Sequence, residues 1–99
     1  MNACVHIPIN YKQVASFCRR HCIRRMALFG SVLRDDFRPD SDVDVLVEFE
    51  PGMTPGLAFF VMQDELSDLL GRRVDLNTPG SFGPRVQPLV LAQAESIYG

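Results

Sequence analysis

Apolar and polar residues alternate in the middle of the chain, and the alternation predicts a β-strand from Asp42 to Phe49. Every second residue is Val or Phe, whereas the positions between them hold Asp42, Asp44, Leu46 and Glu48. A period of two is typical of a strand with one face against a core. Successive side chains point to opposite faces of a strand, so we expect both aspartates on the face away from the valines.

Two other stretches have the longer period of amphipathic helices. The first follows Asn10, a helix-capping residue with Gln13 in the capping-box position. Its apolar stripe comprises Tyr11, Val14, Ala15, Cys18 and Cys22. The second is predicted over about residues 57–70 and ends at Gly71. Its apolar face comprises Phe59, Met62, Leu66, Leu69 and Leu70.

Short elements connect these segments. The apolar run Met26–Phe29 predicts a buried strand that stops at Gly30. Ser31 can begin a short helix that extends to about Asp36. Pro39 disfavours any continuation of that helix and precedes the alternating strand.

The last third predicts a strand over residues 73–77, with Asp75 on the face opposite its apolar neighbours. A turn at residues 78–80 follows. A helix over about residues 84–93 is compatible with the pattern, although Pro88 would remove one hydrogen bond. Ile97 and Tyr98 could form a final edge strand.

The chain has 99 residues, which suits a single domain spanning residues 1–99. It is 46% hydrophobic and 22% charged, ordinary values for a globular protein. The net charge of −2 argues against direct binding of nucleic acid by the whole protein. Within that balance, Arg19, Arg20, Arg24 and Arg25 form a basic cluster, either a solvated face or a surface for RNA or an acidic partner.

Three cysteines do not suggest a disulfide framework, and reduced thiols favour a cytoplasmic protein. The first residues lack the charged region of a signal peptide. The longest apolar run, residues 57–62, is too short to span a bilayer, so we expect no membrane association.

The candidate chemistry lies where these elements meet. Gly30 and Ser31 occur at a strand-to-helix turn, where an open backbone can bind a phosphate. Asp42 and Asp44 are two residues apart, and carboxylates at that spacing can bind one or two Mg²⁺ ions. Asp75 would join them if its strand pairs beside theirs with the apolar faces aligned.

These residues resemble the signature of the DNA polymerase β-like nucleotidyltransferase superfamily: Gly30-Ser31, ten residues, then Asp42-Val43-Asp44. The stretches 28–34, 38–47 and 71–79 resemble its minimal nucleotidyltransferase (MNT) branch more specifically. One departure is Asp35, at a position that is often Gly in that motif.

The resemblance implies an α/β (α+β) fold, with a small mixed β-sheet and helices packed against it. It implies transfer of AMP from ATP to a hydroxyl, with Asp42, Asp44 and Asp75 as catalytic and metal-binding residues for two Mg²⁺ ions. Gly30 and Ser31 would bind the nucleotide. Arg34 and Arg38 could steer its triphosphate, or could pair with nearby aspartates instead. The implied partner is a HEPN-domain toxin modified on a tyrosine, and a homo-oligomer is compatible with this picture.

Other interpretations remain open at this point. The chain could neutralise a partner by docking without catalysis, or could modify a small hydroxylated antibiotic. Asp42 and Asp44 could be a solvated strand face, and Asp75 an exposed edge-strand acid. Cys18, His21 and Cys22, together with Cys4 and His6, suggest zinc. They lack the paired cysteine spacing of structural sites, so core thiols and a histidine at a helix end are the better interpretation.

Overall fold

The computed structural model describes residues 7–33, 42–53 and 55–99, which form three helices and four strands. In chain order these elements are α1 (Tyr11–Arg20), β1 (Ile23–Phe29), β2 (Val43–Phe49), α2 (Ala58–Leu70), β3 (Val74–Asn77), α3 (Gln87–Gln93) and β4 (Glu95–Tyr98). Single 3-10 turns occupy Gly30–Leu33 and Pro79–Ser81.

The strands form one mixed sheet in the order β3-β2-β1-β4. β1 is antiparallel to both β2 and β4, whereas β3 is parallel to β2. The predicted fold class, a small mixed sheet with helices packed against it, is therefore confirmed. β2 begins one residue after the predicted start, and the edge strand predicted at Ile97 and Tyr98 is present as part of β4.

One face of the sheet packs against α1 and α2. Val43, Val45 and Val47 of β2 are fully buried there, as their alternation predicts. The helices contribute Val14, Phe17, Cys18, Met62 and Leu66 to the same core. The predicted stripe of α1 was wrong at its ends. Tyr11, the first residue of the helix, is half exposed, and Cys22 lies beyond the helix end.

β1 begins three residues earlier than its apolar run predicts, at Ile23 rather than Met26. Arg24 and Arg25 interrupt the apolar pattern, but Glu48 on β2 accepts hydrogen bonds from both, at 3.0 and 3.3 Å. Arg25 and Glu48 are also cross-strand partners. Because a neighbouring carboxylate compensates these charges, the strand continues through them.

The helix ends follow local chemistry. The Asn10 side chain accepts a hydrogen bond from the Gln13 N–H at 3.1 Å, so the predicted cap of α1 is confirmed. Gly71 ends α2 in the left-handed region, with φ of 69°. Pro88 is the second residue of α3, where the N–H would have no intrahelical partner. The helix therefore tolerates Pro88 by starting at Gln87, later than predicted.

Candidate functional site

The face of the sheet opposite α1 and α2 carries the predicted acidic residues. Asp44 on β2 pairs with Asp75 on β3 and with Phe29 on β1. Neighbouring strands lie about 4.8 Å apart, so Asp44 and Asp75 are adjacent on this face. Asp42 immediately precedes β2 and is exposed, as is Asp75, whereas Asp44 is half-buried. The prediction that Asp75 would share a face with Asp44 is confirmed by this register.

Gly30 lies directly against Asp44. It follows Phe29, the β1 partner of Asp44, and has φ of 75°, in the left-handed region that favours glycine. A Cβ built on Gly30 would collide with Oδ2 of Asp44 and lie 3.2 Å from its Cγ. Only glycine therefore allows this turn and this position of the Asp44 carboxylate together.

The three carboxylates share a face but do not converge. Asp42 Oδ1 lies 3.9 Å from Nε of Arg73, a loose and exposed ion pair. In the described part of the chain, no three acidic, His or Cys side chains are gathered closely enough to hold a metal ion. The donor chemistry nevertheless fits Mg²⁺, which prefers a few carboxylates together with substrate oxygens to an all-protein cage.

The predicted phosphate-binding segment is described only in part. Gly30–Leu33 forms a 3-10 turn, too short to supply much of a helix dipole. Phosphate binding there would depend on backbone N–H groups. The described ranges do not include the side chain of Ser31 or residues 34–41. Arg34, Arg38 and the predicted end of the short helix fall within residues 34–41.

An aromatic side chain near the acids was not predicted. Phe82 follows the second 3-10 turn and contacts Phe29 edge to face, with ring centroids 5.6 Å apart. Ala27 and Leu46 are paired across β1 and β2 on this same face and are buried. Buried apolar side chains therefore lie on the sheet beside the acids. The only sequence signal for Phe82 was an aromatic residue between two turn-forming segments, which does not indicate where the ring lies.

A second polar cluster lies between α1 and α2. Glu65 accepts a hydrogen bond from Arg20 at 2.6 Å and contacts Nε2 of His21 at 3.1 Å. Burial opposes ionisation of Glu65, but its contacts with Arg20 and His21 outweigh burial and lower its pKa. Burial also raises the pKa of the Cys18 thiol to about 12. Cys18 is therefore a core thiol and His21 contacts a carboxylate, whereas Cys4 and His6, the other two residues of the zinc interpretation, lie outside the described residues.

Within the described ranges, no helix combines the length and apolar character needed to cross a bilayer.

The fold and the sequence match known nucleotidyltransferases. A family model described as Nucleotidyltransferase domain matches residues 11–95. The chain belongs to this family and is a nucleotidyltransferase. Its predicted resemblance to the MNT branch is confirmed as well.

One curated relative and two solved structures illustrate the match. The chain is 39% identical to the protein adenylyltransferase MntA of Thermococcus cleftensis over 75% of this chain and 74% of that protein. A solved structure, provisionally named a minimal nucleotidyltransferase, is 42% identical, covers 85% of each chain and has a TM-score of 0.71. One chain of a solved structure, described as a tri-AMPylated Shewanella oneidensis HEPN toxin in complex with MNT antitoxin, also matches. The identity is 22% and the TM-score 0.66, over 91% of this chain and 70% of that one. This last likeness is one of fold.

Proposed function

We propose that this chain is a cytoplasmic, Mg²⁺-dependent protein adenylyltransferase. It transfers AMP from ATP to a tyrosine hydroxyl of a HEPN-domain toxin and so acts as the antitoxin of that toxin. The observation that carries the proposal is the adjacency of Asp44 and Asp75 on parallel strands, with the Gly30 backbone against Asp44. The name of the Thermococcus relative, a protein adenylyltransferase, supports AMP as the transferred group and a protein as the acceptor.

In this proposal, different residues bind the nucleotide and the metal ions. The backbone at Gly30 and Ser31 binds the phosphates of ATP, and Arg34 and Arg38 neutralise part of their charge. Asp42 and Asp44 would hold two Mg²⁺ ions, with Asp75 as a further ligand for one of them. When bound, Mg²⁺ would neutralise charge at the phosphates and favour ionisation of the attacking hydroxyl.

Asp75 has a further role in this proposal, because it is exposed at the edge of the sheet, where an acceptor can approach. Its carboxylate takes the proton of the acceptor hydroxyl as that oxygen bonds to the α-phosphorus of ATP. The bond from the α-phosphorus to the bridging oxygen breaks, and pyrophosphate leaves. Asp44 is half-buried and its carboxylate lies against the Gly30 backbone, on the side where the phosphates of ATP would bind.

An exposed apolar patch supports a protein acceptor. Leu57, Phe60 and Val61, at the start of α2, are 85, 64 and 66% exposed. Exposed apolar patches are a feature of protein–protein interaction surfaces. A small antibiotic acceptor would not require such a surface.

The direct test is incubation with ATP, Mg²⁺ and the HEPN-domain protein, followed by intact-mass measurement of that protein. We expect a mass increase of one or more AMP groups, lost in Asp42→Asn and Asp44→Asn. Glu50→Gln, a change of an exposed carboxylate just after the end of β2 remote from Asp44, should retain activity and serves as the control. Full protection from the toxin by Asp42→Asn and Asp44→Asn, with no mass increase, would favour neutralisation by docking alone.

A further inference from the structure

β3 is the element that carries Asp75, and it has little support from the sheet. It has four residues and, among the strands of the described ranges, lies at the edge of the sheet and pairs only with β2. In a parallel pair, alternate residues of a strand bond to the neighbouring strand, and the residues between them direct their N–H groups outward. Here the outward residues are Val74 and Leu76, which flank Asp75.

Two side chains of α2 accept hydrogen bonds from these outward N–H groups. Gln63 Oε1 accepts from the Leu76 N–H at 3.0 Å, and Ser67 Oγ accepts from the Val74 N–H at 3.0 Å. The Ser67 hydroxyl in turn donates to the Gln63 carbonyl oxygen at 2.9 Å. α2 therefore bonds to the outer edge of β3 as a neighbouring strand would.

The two acceptor residues are spaced along α2 by nearly the same distance as the two donor residues along β3. Gln63 and Ser67 are four residues apart on the helix, which is about 6 Å along its axis. Val74 and Leu76 are two strand residues apart, about 6.6 Å. Slipping β3 by one residue would misplace both donors and would turn Asp75 to the other face of the sheet.

We propose that Gln63 and Ser67 are positioning residues for Asp75, which hold β3 in the register that places this carboxylate beside Asp44. The inference rests on the proposed function, because it assumes that Asp75 binds Mg²⁺. It predicts that loss of either acceptor weakens metal binding at the nucleotide site by more than the loss of stability explains.

The test compares variants that remove each acceptor with variants that keep it. Gln63→Leu and Ser67→Ala remove the acceptors, whereas Gln63→Glu and Ser67→Thr retain an oxygen in place. Ile97→Val, in the opposite edge strand β4, is a control for a modest loss of core packing. Each contact has its own variant, so the test survives if one of them does not fold.

Two measurements on the full chain need no acceptor protein. The first is the Mg²⁺ concentration that gives half-maximal binding of α,β-methylene-ATP, which cannot release pyrophosphate. We expect it to rise roughly fivefold in Gln63→Leu and Ser67→Ala, the effect of losing one hydrogen bond. It should stay near the wild-type value in Gln63→Glu, Ser67→Thr and Ile97→Val. The second is amide hydrogen exchange, which should become faster at Val74 and Leu76 in the two acceptor-removing variants.

Faster exchange at β3 with an unchanged Mg²⁺ requirement would overturn the inference, because the contacts would then serve stability alone. The variant Asp75→Asn separates this failure from failure of the proposed function. If Asp75→Asn itself leaves the Mg²⁺ requirement unchanged, Asp75 does not bind the metal. The metal-binding role in the proposed function and the positioning role of Gln63 and Ser67 are then both wrong. If Asp75→Asn raises the requirement and the acceptor-removing variants do not, only the positioning role is lost.

Discussion

Alanine at Gly30 has two expected effects, strain in the backbone and displacement of the Asp44 carboxylate. Comparison with alanine at two other glycines can separate these effects. Gly30, Gly52 and Gly71 have nearly equal φ values, 75, 77 and 69°. A Cβ on Gly52 or Gly71 would meet nothing within 4 Å, whereas a Cβ on Gly30 would collide with the Asp44 carboxylate. The three alanine variants therefore share the strain and differ in the collision.

The shared strain sets the expected loss of stability. Alanine in the left-handed region costs about 1–2 kcal/mol. For a domain of this size, each kcal/mol lowers the melting temperature by about 4–8 °C. Rotation of the Asp44 side chain would relieve the collision, so Gly30→Ala should lose stability of the same order as the other two variants.

Activity should separate the variants where stability does not. Rotation of Asp44 relieves the clash but moves its carboxylate, and a displacement of about 1 Å can cost ~100-fold in rate. We expect Gly30→Ala to lose about that factor in AMP transfer, and Gly52→Ala and Gly71→Ala to stay close to wild type. The assay is single-turnover transfer at a temperature well below all melting points. Equal activity in all three variants would refute the assignment of Asp44 to the catalytic site.

Three further outcomes follow from single contacts. Ser31→Ala should reduce AMP transfer only about 2–10-fold, the effect of one hydrogen bond, whereas Asp44→Asn should abolish it, as kcat/KM of the two variants will show. The folded-state pKa of Glu65 is lowered from 4.5, so its stabilising effect is present above that pH and is lost as the pH falls through the folded pKa. Urea unfolding should therefore show Glu65→Gln less stable than wild type at neutral pH, by less than about 1 kcal/mol, with the difference vanishing in acid. Cys18, fully buried and with its pKa raised to about 12, should resist iodoacetamide in the native protein and react in urea, as peptide mass spectrometry can establish.

Much of the fold was predictable because the strongest elements have clean periods. β2 alternates over seven residues, and α2 has an apolar face that ends at a left-handed glycine. β1 was predicted too short because Arg24 and Arg25 break its apolar run. Glu48 compensates the charges of Arg24 and Arg25 only once β1 and β2 are paired, and the apolar run alone does not predict that pairing. The late start of α3 at Gln87 follows from the position of Pro88.

The candidate site was predictable as a set of residue types but not as an arrangement. The spacing of Asp42 and Asp44 fixes a shared face, and the apolar neighbours of Asp75 align it with them. The contact between Gly30 and Asp44, and the contact of Phe82 with Phe29, depend on how a turn and a loop fold back on the sheet. Gln63 and Ser67 were missed because their partners are backbone N–H groups, which leave no trace in a side-chain pattern.

Following the phosphorus of ATP into the HEPN-domain protein tests the proposed function most directly. Parallel reactions would contain this chain, Mg²⁺, the HEPN-domain protein and ATP labelled with ³²P at either the α- or the γ-phosphate. Nucleotidyl transfer predicts that the α-label becomes covalently attached to a tyrosine of that protein and that the γ-label leaves in pyrophosphate. Asp75→Asn should lose the attachment. Attachment of the γ-label would indicate phosphoryl transfer instead, and attachment of neither label would contradict the proposed enzymatic function.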